Sequence, residues 1–364
     1  MFERIYIEKL LMENEEYQRK IQNILSRFPN LPVFTIENYR DVFGKFYKPY
    51  LAKRVNLWLF LAEKKGQLVK PAPPAYGTNS GKHYYFVHAY NCLYECQYCY
   101  LQGYFNSPDI VLFLNHKEIF SEIEKIITQN PNEELWFHAG EFSDSLALTD
   151  LSQELPELME LFKKYPKANL ELRTKSIKTK ELLSLNPTDN VVTSFSLSSK
   201  NNTKDIDFKT PSLTLKIKAI QGLMKEGFSI GLHFDPIVYN ENFQTDYTDL
   251  MTELFSYPEI KNQLHLIKYI SIGVVRFTKE VYFSVQKNYP DSTLFDLELT
   301  KSFDGKMRYP KPQRLWIMNF VKNLLVENGI AEKTIYLCME EDDENEGQLP
   351  SFEQDLLAET TPIL

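Results

Sequence analysis

Short apolar runs alternate with amphipathic stretches through the middle of the chain. Residues 84–90 (YYFVHAY) have the apolar, aromatic character of a strand. Residues 117–129 place Ile119, Phe120, Ile123, Ile126 and Ile127 on one helical face, and 134–138 (ELWFH) return to a strand. The alternation continues as a helix over 151–164, a strand at 169–174, a short helix near 179–185 and a strand at 191–197. A helix at 212–225, a strand at 228–235, a helix near 244–255 and a strand at 267–276 complete it. A repeated β-then-α rhythm predicts a parallel sheet with crossover helices, and six such units make a partial or full α/β barrel. Reactive groups in that architecture sit at the C-terminal ends of the strands. The segments after 90, at 139–144, near 175 and near 196 all fall there.

The first eighty residues read as an added α/β layer: ERIYIEKLL starts with a strand and EEYQRKIQNILSRF forms a helix. The stretch 70–82 (KPAPPAYGTNSGK) is a Pro- and Gly-rich connector. Three regions result: an extension over 1–80, a barrel over 81–340 and a flexible acidic tail over 341–364. With 43% apolar and 25% charged residues the composition is that of a folded globular protein. No run of eighteen apolar residues exists, so no membrane partner is expected. The N-terminus MFERIYIEKLLMENEEYQRK lacks a signal-peptide layout, so a cytoplasmic location is expected. The net charge of −8 argues against a strong overall pull on nucleic-acid phosphates, although part of it lies in the run Glu340–Glu346.

Three of the four cysteines fall within eight residues, in Asn91-Cys92-Leu93-Tyr94-Glu95-Cys96-Gln97-Tyr98-Cys99-Tyr100. Clustering of this kind in a large chain points to a metal or redox role rather than to a disulfide framework. Three thiolates on one loop can wrap one face of a [4Fe–4S] cubane, whose usual complement is four cysteines. One iron is then left for another ligand, and the amine and carboxylate of S-adenosylmethionine (SAM) suit it. Two other readings of the loop are a Cys3His zinc site completed by His88 or His138, within a non-enzymatic nucleic-acid-binding module, and three buried thiols without metal.

C-x3-C-x2-C with an aromatic, here Tyr98, before the last cysteine resembles the signature of the radical SAM superfamily. FVHAYNCLYECQYCYLQGYF is similar to the cluster loop of the spore photoproduct lyase family in particular. AKRVNLWLF (52–60), ELRTKS (171–176), SFSLSS (194–199), GFSIGLHFDPIVYNENFQTDY (227–247) and ISIGVVRFTKEVYFSVQKNYP (270–290) resemble further segments of it. The resemblance implies a partial (β/α)6 TIM-type barrel of the radical SAM type with an N-terminal α/β extension. It implies a [4Fe–4S] cluster on Cys92, Cys96 and Cys99 and reductive cleavage of SAM to a 5′-deoxyadenosyl radical. It further implies repair of a methylene-bridged thymine dimer, with DNA as partner and an electron donor such as flavodoxin or ferredoxin. Ser143, Lys175, Ser196 and Ser198 match positions that contact SAM. Tyr98 matches the aromatic beside the adenine, and Tyr100 matches a tyrosine of the radical relay.

One position departs from the family. Its hydrogen-donor cysteine lies two residues before the serine that matches Ser143, and here that position is Glu141. A carboxylate cannot donate a hydrogen atom as a thiol does. Ala139-Gly140-Glu141 instead resembles the Gly-Gly-Glu motif of other radical SAM enzymes, which implies that Gly140 and Glu141 receive the SAM amine and leaves a non-DNA substrate open. Asp144 suits the same role or a cap. Cys338, in IYLCME, reads as a buried structural thiol that reaches the site only if the last strand passes the barrel mouth. His138, His233 and Asp235 are candidates for substrate or acid–base contact. Arg276, Lys279, Arg308, Lys311 and Arg314, with Tyr309 and Trp316, form a candidate phosphate-contacting edge.

Overall fold

The structure, a computed structural model, describes residues 2–73, 81–302 and 304–338. Eight strands form the main sheet, in the order Ile335–Leu337, Ile267–Val274, Ser229–Ile237, Val191–Ser196, Ala168–Thr174, Leu135–Ala139, Lys82–Phe86 and Val69–Pro71. Every neighbouring pair is parallel except the last, which is antiparallel. The sheet is strongly curled. Glu171 on Ala168–Thr174 accepts hydrogen bonds from Ser194 (2.6 Å) and His233 (2.7 Å) and from the Tyr269 hydroxyl (2.7 Å), three strands away in sheet order. Strands three apart in a flat sheet are separated by roughly 14 Å. Only a barrel-like wall lets one carboxylate span them.

Residues alternate along each strand between this polar interior and an apolar outer face. Phe137, Leu170, Phe195, Leu232 and Ile270 pack outward against Ile123, Phe162, Ile220, Leu250 and Val321. The latter lie on the helices His116–Gln129, Leu155–Lys164, Leu213–Lys225, Phe243–Phe255 and Lys311–Glu327. The alternating strands and helices expected from the sequence are therefore present.

Local differences have identifiable causes. The helix expected over 151–164 is two, Thr149–Ser152 and Leu155–Lys164, because Gln153 adopts a left-handed conformation (φ +55°) and Pro156 fits only a new first turn. The strand expected over 84–90 divides between two sheets. Lys82–Phe86 stays in the barrel, while Ala89–Tyr90 pairs antiparallel with Ile110–Phe113. The helix expected near 179–185 is a single 3-10 turn, Leu182–Ser184. The strand expected over 267–276 stops at Val274, and Arg276–Phe277 joins a small antiparallel sheet with Met307–Arg308 and Thr300–Lys301.

A second sheet runs Val33–Ile36, Phe2–Glu8, Leu57–Ala62, Ile110–Phe113, Ala89–Tyr90. Its inner residues Ile5, Ile7, Leu59, Leu61 and Leu112 bury against Ile21 and Ile24 of the helix Glu15–Ser26, whose Asn14 cap accepts from the Glu16 amide. Two of its strands lie beyond residue 80, so this layer is built into the barrel rather than appended to it. Part of the Pro/Gly connector and the acidic tail lie outside the described residues. Among the described residues, no helix is long and apolar enough to cross a membrane.

Candidate active site

The cysteine loop begins where the chain leaves the barrel for the second sheet. Asn91 takes a left-handed conformation (φ +61°), which asparagine tolerates, and its side-chain amide donates to the carbonyls of Ser107 (2.8 Å) and Asp109 (2.7 Å). The buried Lys53 ammonium, from the 3-10 segment Tyr50–Arg54, donates to the carbonyls of Cys92 and Tyr94. Glu95–Cys96 pairs with Asp207–Phe208, and the Gln97 amide bonds to the Ile206 carbonyl (3.0 Å). A turn from Cys96 carbonyl to Cys99 amide (3.1 Å) follows, and the Gln102 side chain donates to the carbonyls of Gln97 (2.7 Å) and Cys99 (2.9 Å). Many backbone groups of the loop are thus engaged by protein, which fixes its path around the three sulfurs.

No cysteine is in a disulfide. Burial pushes the Cys92 thiol up to about 12, with a further push from Asp144, and burial with the nearby Asp207 raises Cys96 well above the ordinary thiol range. The Tyr94 amide donates to the Cys92 sulfur (3.4 Å). Thiolates in so dry a site need positive charge beside them, which a bound metal centre provides, and loading it must release protons. The donor set therefore fits an iron–sulfur cluster. Among the described residues no three His, Cys, Asp or Glu side chains converge to hold a single ion. Three thiols that wrap a cubane bind separate irons and need not converge. The two histidines considered as zinc ligands are placed otherwise. His138 lies between His83 (2.9 Å) and Glu171, and His88 is buried and held neutral, its pKa pushed down to about 4 by burial.

Tyr98, Lys175, Ser198 and Asp207 meet beside Cys96. The Tyr98 hydroxyl and the Ser198 hydroxyl (2.9 Å) both donate to Asp207, and the Lys175 ammonium lies 5.5 Å from the Tyr98 ring centre. Lys175 is held protonated: burial acts to lower its pKa, but the charges of Cys96 and Asp207 outweigh it and the net shift is upward. Ser196 ends its strand on the same inward face as Ser194 and Ser198 and is buried. On the next strand end, Gly140 takes φ +87°, and a Cβ there would lie 2.5 Å from the Ser145 hydroxyl. This turn projects Glu141 to the Tyr100 hydroxyl, which donates to it (3.1 Å) and accepts from the Phe142 amide (3.3 Å). Ser143 donates to the Asn91 carbonyl (2.8 Å), tying this turn to the cysteine loop. Asp144 is a cap: it accepts from the amides of Leu146, Ala147 and Lys175 and from the Thr174 hydroxyl.

Some candidates serve structure instead. His138 and His233 both bond Glu171 below the mouth. Burial pushes that carboxyl up, but hydrogen bonds and charge from the two histidines outweigh it and hold it low. Arg308 is buried on Asp304, Arg314 donates to the Tyr309 carbonyl (3.1 Å), and the buried Tyr309 hydroxyl accepts from the Tyr239 amide (3.2 Å). These three are withdrawn from the expected phosphate-contacting edge, while Lys279 and Lys311 are exposed. Asp207 and Lys53 escaped sequence reading, since an isolated Asp and Lys far from the motif carry no local signal.

A family model, spore photoproduct lyase, matches residues 78–324, more than half of the chain. The chain belongs to the spore photoproduct lyase family. Curated relatives named spore photoproduct lyase include those of Bacillus subtilis (26% identical over 211 residues, 57% of this chain and 60% of the relative) and Clostridium acetobutylicum (23% identical over 223 residues, 60% and 65%). The chain thus matches somewhat under two thirds of each relative's length. A solved spore photoproduct lyase variant with bound AdoMet and dinucleoside spore photoproduct has the same fold, with a TM-score of 0.76, 19% identity and coverage of 93% of this chain and 98% of that one. Another variant, with dinucleoside spore photoproduct, gives a TM-score of 0.77 at 18% identity over the same shares.

Proposed function

We propose that this member of the spore photoproduct lyase family is a cytoplasmic radical SAM enzyme that acts on a thymine photolesion of DNA. The carrying observation is the clamped loop that brings Cys92, Cys96 and Cys99 to the barrel mouth beside Lys175, Tyr98 and Asp207. Relatives of that name, and a solved relative holding AdoMet with dinucleoside spore photoproduct, support the reading. The three cysteines would hold a [4Fe–4S] cluster, which when bound with SAM would supply the radical chemistry that takes a hydrogen atom from substrate.

The chain's own residues position and enclose. Lys175 places a fixed positive charge beside Cys96, where it would pair with the carboxylate of a bound SAM. Asp207 locks the Tyr98 hydroxyl, so the ring would be held to present one face to the adenine of a bound SAM. Gly140 lets the backbone approach closely, and Glu141 accepts the SAM amine. Ser143, Ser196 and Ser198 hydrogen-bond the cofactor at the rim, and Tyr100, bonded to Glu141, stands on the radical route. The electron comes from a flavodoxin or ferredoxin.

The test is anaerobic turnover of dinucleoside spore photoproduct with SAM and dithionite. Formation of 5′-deoxyadenosine and of the repaired dinucleotide, both lost in Cys96→Ala, supports the reading. A second reading, a radical SAM enzyme with a non-DNA substrate, is favoured by Glu141 and by the internal use of Arg308 and Arg314. It predicts 5′-deoxyadenosine with the photoproduct left intact.

A further inference from the structure

The barrel interior carries two polar layers. The lower one closes around Glu171. Two residues further along the strands side chains again face inward, and there Arg173, Asp235, Arg276 and Cys338 gather. The Arg276 guanidinium donates to both Asp235 oxygens (2.7 and 3.1 Å) and to the Cys338 sulfur (3.4 Å). Arg173 stands 3.7 Å from the same carboxylate. Gly273 makes room for the pair, since a Cβ there would lie 2.8 Å from an Asp235 oxygen.

The last strand places the thiol. Ile335–Leu337 runs parallel to Ile267–Val274 with Leu337 opposite Ile272, and the Cys338 amide donates to the Ile272 carbonyl (2.8 Å). Cys338 therefore stands at the C-terminal end of its strand, the end at which Lys175 and Ser196 stand. Its facing is set by Tyr336, two residues earlier, whose ring is 6.3 Å from that of Tyr269, a ligand of Glu171. Cys338 is a partly buried residue, and the Arg173 side chain beside the Asp235 carboxylate is one-third exposed. Below it His233, 2% exposed and inward-facing, has a ring nitrogen, Nδ1, with no hydrogen-bond partner. A buried polar atom left so is costly unless a ligand or water meets it.

We propose that Cys338 is the hydrogen-atom donor of this enzyme, acting from the wall of the barrel instead of from position 141. The inference rests on the function proposed above. The S–H bond of Cys338 breaks homolytically and its hydrogen forms the new C–H bond on the substrate's carbon radical, leaving a thiyl radical on the sulfur. A small external thiol returns one hydrogen atom to Cys338 and is itself oxidised, so the site is restored. Arg276 and Arg173 fix the sulfur and its carboxylate neighbour in place. Burial, with the charge of Asp235, raises the thiol to about 11 against the opposing arginines, so it carries its hydrogen at neutral pH.

The experiment is turnover of dinucleoside spore photoproduct by the reconstituted holoenzyme in deuterium oxide with excess dithiothreitol. Thiol hydrogens exchange with solvent, so wild-type product gains one deuterium. Cys338→Ser keeps the volume and the Arg276 contact but not the weak S–H bond, so its deuterated product per 5′-deoxyadenosine falls at least about tenfold. Equal deuterium and equal yield in the variant overturn the inference. Repaired wild-type product without deuterium overturns it too and leaves the proposed function standing. Absence of 5′-deoxyadenosine in the wild type overturns that function, and the inference with it. Independently of turnover, bound dinucleoside photoproduct slows iodoacetamide labelling of Cys338, read by peptide mass spectrometry; labelling at an unchanged rate overturns its placement against substrate.

Discussion

Replacing Glu154 by glutamine probes how the fold carries a buried carboxyl at the start of an outer helix. Glu154 precedes the helix Leu155–Lys164, is 4% exposed, and its Oε2 has no hydrogen-bond partner. Burial raises its pKa from 4.5 to about 7, against weaker lowering by Ser152, its own amide and Lys20. The folded chain therefore holds this proton more tightly than the unfolded chain. The stability it contributes is fully present below pH 4.5 and is lost as pH rises through about 7. A shift of roughly 2.5 units is worth about 3 kcal/mol at pH 8. Glutamine has the same shape and no charge, so Glu154→Gln matches wild type near pH 4.5 and exceeds it by about 3 kcal/mol at pH 8. With an unfolding entropy of about 2.1 cal/mol/K per residue, that is about 4 °C in Tm. His88 and His116, lowered by burial to about 4 and about 3, titrate in the opposite sense, their stability being lost as pH falls below 6.5. They do so in both proteins and cancel in the difference. Thermal melts of both at pH 5, 6, 7 and 8 make the test. A pH-independent offset, or a variant less stable at pH 8, refutes the reasoning.

Gly140→Ala should melt lower by an amount corresponding to about 2 kcal/mol or more, because it adds a Cβ 2.5 Å from the Ser145 hydroxyl at φ +87°; an unchanged melt contradicts the tight turn. The Lys216 ammonium is fully buried with no hydrogen-bond partner, and burial, ahead of the opposing charge of Asp207, lowers its pKa. Lys216→Met should therefore raise stability by about 1–2 kcal/mol at pH 7 in urea unfolding, whereas a loss would mean that its attraction to Asp207 outweighs desolvation. Lys175→Met should weaken SAM binding about tenfold in equilibrium dialysis of the reconstituted protein; unchanged affinity removes Lys175 from the cofactor site.

The strands and helices of the barrel were legible because each burying face repeats with its own period, as Ile119, Phe120, Ile123 and Ile127 do on their helix. The cysteine loop was legible because its donors are adjacent in sequence. What escaped is non-local. Asp207 meets Tyr98 across more than a hundred residues, and Lys53 reaches the Cys92 carbonyl from the 3-10 segment Tyr50–Arg54, some forty residues earlier. Cys338 read as a core thiol because nothing in IYLCME reveals that its strand ends at the mouth. Arg308 and Arg314 read as part of a phosphate-contacting edge, yet Asp304 and the Tyr309 carbonyl hold them inside. Pattern records which face of an element is apolar, not which distant group will satisfy a charge.

The central claim is that Cys92, Cys96 and Cys99 hold a cluster with one iron open to SAM. Anaerobic reconstitution followed by iron and sulfide analysis, and electron paramagnetic resonance of the dithionite-reduced protein with and without SAM, tests it directly. The account predicts about four irons per chain, a reduced-cluster signal that changes when SAM is added, and loss of both in Cys96→Ala. Protein that binds zinc instead, or a cluster whose signal is indifferent to SAM, would contradict it.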